Sequence, residues 1–157
     1  MERRYYIAYG SNLNVLQMRK RCPTATILGT ATLKDWTLLF RGSKTGSYLT
    51  IEERAGAKVP VAIWVVEPGD EAALDVYEGY PDFYYKREFR LQYRGILTGR
   101  RRMITAFAYI MHEDRPLGIP SNFYMRTCLD GYDTFSFDRR VLLKAYDKSV
   151  EVCDDED

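Results

Sequence analysis

Two short segments hold residue types that could do chemistry together. The first is Tyr9-Gly10-Ser11-Asn12-Leu13, placed where a strand-like run, Tyr5 to Tyr9, hands over to a helical stretch. Glycine permits a tight or left-handed turn. The amides after it would point unpaired N–H groups into one spot near a helix N-terminus, a concavity that suits a carboxylate, a phosphate or a developing oxyanion. The plainer role for Ser11 or Asn12 is to cap that helix. The second segment is Leu74-Asp75-Val76-Tyr77-Glu78-Gly79-Tyr80-Pro81. It ends a short helix, and Tyr77, Tyr80, Phe83, Tyr84 and Tyr85 crowd around Glu78. A carboxylate in an aromatic, partly dry pocket has a raised pKa, which suits it to general acid–base work near neutrality. The alternative for Glu78 is a helix end facing solvent. Asp75 is the competing carboxylate, and local hydrogen bonding around the turn is its expected job.

Other chemistries find less support. The dinucleotide Gly-x-Gly-x-x-Gly pattern and the Gly-x-x-x-x-Gly-Lys phosphate loop are both absent. Gly42-Ser43-Lys44-Thr45-Gly46 lacks that glycine spacing and reads as a hairpin tip or a mobile loop at a pocket rim. Cys22, Cys128 and Cys153 are odd in number and widely spaced, which fits neither a disulfide framework nor a cysteine-rich zinc site. They suit a reducing compartment. A nucleophilic cysteine would want a base, and nothing local ties the only histidine, His112, to Cys128.

Positioning these residues falls to the rest of the 157-residue chain, the length of one domain with one substantial core. We expect a single domain over residues 1–150 and an acidic, frayed tail over 151–157. The start has no signal-like apolar run and no stretch approaches a membrane span, so the expected address is the cytoplasm, with no membrane partner. The net charge of +1 gives no global drive toward nucleic acid. Arg19-Lys20-Arg21 and Arg100-Arg101-Arg102 read as solvated faces or turn residues, the latter on a hairpin after Gly99. Tyrosine is over-used, at 13, and strand preference accounts for most of that.

The pattern predicts a helix over 13–21, strand-turn-strand over 25–40, and an apolar strand over 59–66. A turn at 67–70 leads into a helix over 71–77. Strands follow over 84–93 and 103–111, then helices over 122–130 and 138–147. Strands dominate and helices are short and scattered. The fold class is α+β, with a mixed, curved, barrel-like sheet and short flanking helices.

With these residues in view, the sequence resembles the γ-glutamylcyclotransferase family, including its AIG2-like members, over nearly the whole chain. The resemblance rests on Tyr9-Gly10-Ser11-Asn12-Leu13, on Leu74-Asp75-x-x-Glu78-Gly79 followed by an aromatic stretch with Tyr84, and on Pro120-Ser121-Asn122-Phe123-Tyr124 with Gly131 beyond. It implies a barrel-like fold with a central cavity and Glu78 as the acid–base residue. It also implies that Tyr9, Gly10, Ser11, Asn12 and Leu13 form the substrate-binding turn, whose amides from Gly10 to Leu13 grip a glutamyl group. Tyr84 and Tyr124 become pocket-lining hydrogen-bond donors, with Tyr85 the neighbouring register for Tyr84.

The implied reaction is cyclisation of an L-γ-glutamyl amide to 5-oxoproline, with release of an amine or amino acid. It calls for no cofactor and no metal. The small-molecule γ-glutamyl substrate is the expected partner, and a homodimer is compatible with this reading. The identity of the leaving group stays open, with Arg41 to Tyr48 and Asp114 to Phe123 as the loops expected to shape its pocket. The rival from another class is a non-catalytic small-ligand-binding domain of the same fold.

Overall fold

Five strands close into a barrel in the order β1-β3-β2-β4-β5. They are β1 (Arg4–Ala8), β2 (Thr26–Ser43), β3 (Gly46–Val66), β4 (Tyr84–Gly95) and β5 (Arg101–Met111). The structure is a computed structural model describing residues 3–43 and 46–155, so Lys44 and Thr45 of the expected rim loop, and the last two residues of the expected tail, lie outside the described residues. β1 runs antiparallel to β3 and parallel to β5, where Tyr6 pairs with Phe107. The sheet is therefore mixed and barrel-like, as the α+β reading expects.

The apolar run in β3 is continuous because both of its faces are covered: Val59, Val61, Ala62, Ile63 and Trp64 are all buried. β2 corrects the strand-turn-strand expectation, since it is one strand from Thr26 to Ser43. Its register slips between Lys34 and Trp36, and Asp35 takes a positive φ of 66°. The Asp35 carboxylate accepts the Gly56 N–H at 2.9 Å. A bulge bends the strand there without ending it.

The helices are α1 (Val15–Arg21), α2 (Pro68–Glu78), α3 (Asn122–Thr134) and α4 (Arg139–Asp155). α1 is capped by Asn14, not by Ser11 or Asn12, because Ser11–Leu13 first form a separate 3-10 turn. α2 begins earlier than expected. Glu67 and Asp70 make a reciprocal capping box around Pro68, so the predicted turn at 67–70 is the helix's own start. It stops at Gly79, whose φ of 63° is left-handed. α4 corrects the expected tail: residues 151–155 continue the helix, whose buried stripe of Leu142, Ala145 and Ser149 extends past residue 147. Among the described residues no helix is long and apolar enough to cross a membrane.

α3 presses on the 3-10 turn at a glycine. A Cβ on Gly131 would lie 2.6 Å from the Leu13 Cβ and 2.7 Å from its carbonyl carbon. Only a residue without a side chain lets the helix come so close.

Candidate active site

A cavity of about 500 Å³ opens where the 3-10 turn, the end of α2, the start of β4 and the first turn of α3 meet. Glu78 stands on the last turn of α2 as one of its walls. The predicted turn and the predicted carboxylate are thus brought to one space, although Asn12 and Glu78 stand 66 positions apart in the chain. A larger groove of about 710 Å³ lies between β2 and β4, but no acid lines it, so it has no carboxylate to move a proton.

Burial pushes the Glu78 carboxyl up to about 8, with the Arg21 guanidinium pulling in the opposite direction. Among the described residues no ion pair or hydrogen bond reaches this carboxylate. It is half-buried and lines the cavity. It can therefore hold or release a proton close to neutral pH.

In the turn, the Leu13 N–H is spent on the Gly10 carbonyl at 3.0 Å, and the Asn14 N–H on that of Ser11 at 3.0 Å. Among the described residues the amides of Gly10, Ser11 and Asn12 meet no protein backbone acceptor. These are the donors available to an anion. Leu13 drops out of the predicted binding set. Its amide is used by the turn, and its side chain is fully buried in the core under Gly131, away from the cavity wall. Gly10 is not left-handed, its φ being −127°. A Cβ there would lie 3.3 Å from the Leu49 Cβ and 3.4 Å from the Tyr124 hydroxyl, a tight fit that a shift of a few tenths of an ångström would relieve.

The side chains around the turn are fixed. Asn12 donates to the Tyr6 hydroxyl at 2.9 Å, and Ser11 shares a hydrogen bond with the Tyr77 hydroxyl at 3.1 Å. Tyr9 donates to the Tyr109 carbonyl at 2.6 Å. Across the cavity two tyrosines grip one residue's main chain: Tyr84 donates to the Leu49 carbonyl at 2.8 Å, and the Leu49 N–H donates to Tyr124 at 3.1 Å. Tyr84, not Tyr85, faces the cavity; Tyr85 turns outward and donates to Glu113. One expectation needs correcting. The Tyr84 proton is committed to Leu49, so this residue can offer a ligand only its lone pairs, whereas the Tyr124 oxygen accepts the Leu49 N–H and its hydroxyl also lies beside the Cys128 thiol. Burial, reinforced by the charge of Glu78, pushes Tyr6, Tyr9 and Tyr84 well above the ordinary tyrosine range, so they are neutral groups at physiological pH.

Sequence reasoning missed Tyr6, Tyr48, Leu49 and Tyr109 as cavity walls. A signal was there in the composition. Seven of the 13 tyrosines line the cavity, so the surplus first ascribed to strand preference is concentrated at one place. Asp75 was also misread, since its side chain leaves the turn. It accepts from the Tyr109 hydroxyl at 2.6 Å and pairs with Lys86 at 2.8 Å. Cys128 is buried and its thiol is pushed up to about 12, the opposite of an activated nucleophile, while His112 bonds to the Pro81 carbonyl at 2.8 Å. Among the described residues no group of three or more His, Cys, Asp or Glu side chains is placed to hold a metal.

Comparison with known proteins narrows the kind of site this is. A family model described as gamma-glutamyl cyclotransferase, AIG2-like, matches residues 6–126. A search of curated protein sequences finds no significant match. Among solved structures, one named gamma-glutamyl cyclotransferase is 25% identical, with a TM-score of 0.73 over 94% of this chain and 86% of that one. An uncharacterised protein from Homo sapiens, LOC79017, is also 25% identical, with a TM-score of 0.72 over 95% of this chain and 87% of its own. YkqA from Bacillus subtilis, at 18% identity, has a TM-score of 0.73 over 95% of this chain and 55% of its own, and speaks to the fold alone. The family match spans the amide turn, Glu78 and Tyr124 together, and on that ground the chain belongs to the AIG2-like gamma-glutamyl cyclotransferase family.

Proposed function

We propose that this protein cleaves an L-γ-glutamyl amide by cyclising its glutamyl group to 5-oxoproline. Family membership supports cyclotransferase-type chemistry in general terms. One observation carries the finer reading: a carboxylate with no direct hydrogen-bond or ion-pair partner, pushed up to about 8 by burial, shares a cavity with unpaired backbone amides.

The reaction asks for three things. The α-ammonium must lose protons, the γ-carbonyl oxygen must be stabilised as it becomes anionic, and the departing nitrogen must gain protons. The α-nitrogen lone pair forms a bond to the γ-carbon, and the bond from that carbon to the amide nitrogen breaks. The attacking nitrogen goes from three hydrogens to one, and the departing nitrogen gains two and leaves as an ammonium. Glu78 is the group that relays these protons. The amides of Ser11 and Asn12 receive either the oxyanion or the α-carboxylate of the glutamyl group, a donor in the first role being worth about 3 kcal/mol. The Tyr124 hydroxyl lines the same cavity as a further neutral polar group. Ring closure is intramolecular, so the walls need only hold the flexible chain in its attacking geometry.

Purified protein incubated with γ-glutamyl amino acids, glutathione, γ-glutamyl-ε-lysine and γ-glutamyl amines should release 5-oxoproline from one class, read by mass spectrometry. Glu78→Gln should lower that release about a thousandfold or more. Equal turnover by a folded Glu78→Gln protein sinks the assignment. Tight binding of a γ-glutamyl compound with no product would favour the binding-domain alternative.

A further inference from the structure

The motifs account for the amides and the carboxylate, but not for what holds them facing one another. At the end of α1 stands Arg21, which does not line the cavity. Its Nη1 donates to the Asn12 Oδ1 at 2.5 Å and its Nη2 to the Gln17 Oε1 at 2.7 Å. Its guanidinium carbon lies 3.5 Å from the centre of the Tyr77 ring. Asn12 belongs to the amide turn, and Tyr77 directly precedes Glu78 on α2. Tyr77 in turn meets Ser11 at 3.1 Å, so guanidinium, amide side chain, serine and phenol form a closed loop of contacts from turn to helix. A planar fork can bond along its edge and stack through its face at once, which a lysine cannot do.

We infer that Arg21 is the positioning residue of this site, locking the amide turn to the last turn of α2 so that the free amides and Glu78 face the same ligand. This rests on the cyclotransferase reading for its function, though not for its geometry. The alternative role for an arginine here, direct capture of a substrate carboxylate, fits poorly: the fork is occupied by Asn12 and Gln17, and its face by Tyr77.

The electrostatics agree. The titratable groups around Glu78 are the hydroxyls of Tyr6, Tyr9, Tyr77, Tyr84, Tyr109 and Tyr124, and burial raises all six. Arg21 is the cation that opposes the burial of Glu78. Displacing it should therefore move the titration of Glu78 to higher pH by about one pH unit.

The test is the titration of the Glu78 carboxyl by carbon-13 NMR, with Glu78→Gln identifying the resonance, beside the pH profile of 5-oxoproline release. Arg21→Met should move the Glu78 midpoint upward and lower kcat at least tenfold with KM little changed. Arg21→Lys should return the midpoint toward that of the unaltered protein but leave kcat depressed, since the charge is restored without the fork. Should Arg21→Met fail to fold, Tyr77→Leu removes the ring beneath the guanidinium and should move the midpoint the same way. An unmoved midpoint, or a raised KM with kcat intact, overturns the inference. The NMR arm needs no turnover, so a moved midpoint in a protein that makes no 5-oxoproline would count against the reaction and not against Arg21.

Discussion

Glu78 and Asp75 stand three residues apart on α2, yet they live in different physical worlds. Asp75 lies on the flank that faces β4 and β5, together with Glu71. There Lys86 meets Glu71 at 2.7 Å and Asp75 at 2.8 Å, and Tyr109 adds a hydrogen bond. Burial alone would lower the Lys86 pKa, but its bonds to Asp75 and Glu71 outweigh that and hold it above the usual lysine value. Glu78 lies on the cavity flank with no direct partner, and its pKa rises. The same chemical group becomes a strut on one side of the helix and an unpaired acid with a raised pKa on the other, and the neighbours alone decide which.

The largest effect that would break this contrast is on turnover. Glu78→Gln should lower 5-oxoproline release about a thousandfold or more, whereas Asp75→Asn should stay within about tenfold. Parallel losses in both variants would mean that the two carboxylates act as one unit. Next comes pH. The activity limb that depends on ionised Glu78 should rise through about pH 8, and Arg21→Met should carry it higher.

Stability reverses the order of the two residues. The folded pKa of Glu78 lies above its unfolded value, so the folded state binds the extra proton between about pH 4.5 and 8. The pH-dependent cost of its burial is therefore absent below that window and grows as pH rises through it. Glu78→Gln should be more stable than the parent by about 2–4 kcal/mol at pH 9 and nearly equal to it at pH 4, measured by urea unfolding. Lys86→Met should do the opposite, losing about 1–2 kcal/mol at pH 7 because the partly buried Asp75 loses its cation, while Glu71 keeps Arg4 at 2.8 Å. The smallest expected change is the effect of Lys86→Met on the Glu78 titration, where a midpoint within a few tenths of a pH unit would confirm that the two flanks are insulated from each other.

How much of this was legible beforehand follows the range of the forces involved. The ends of α2 could be read because glycine and proline act on their own backbone. The turn and the glutamate could be read as chemistry because their types are unusual for those places. Arg21 could not: it looked like one of three residues in a basic run, and its partner ring on α2 lies 56 positions away in the chain. Tyr6 and Tyr109 could not either, because a strand tyrosine aimed into a cavity has the same local pattern as one aimed into the core. Leu13 was assigned to the ligand because it sits in the motif, but the 3-10 turn used its amide and α3 covered its side chain. Asp75 was kept local because nothing in the sequence announces that β4 will bring Lys86 beside it.

The grip on Leu49 bears on how this site comes into being. Tyr84 closes on that residue from 35 positions away and Tyr124 from 75. Contacts of such long separation form late, after the loop-closing entropy has been met. A chain emerging from synthesis carries Glu78 and the whole amide turn well before Tyr124 exists to complete the wall. Of the cavity walls, Tyr124 is made last, so a half-finished chain can carry Glu78 and the amide turn before their enclosure is complete.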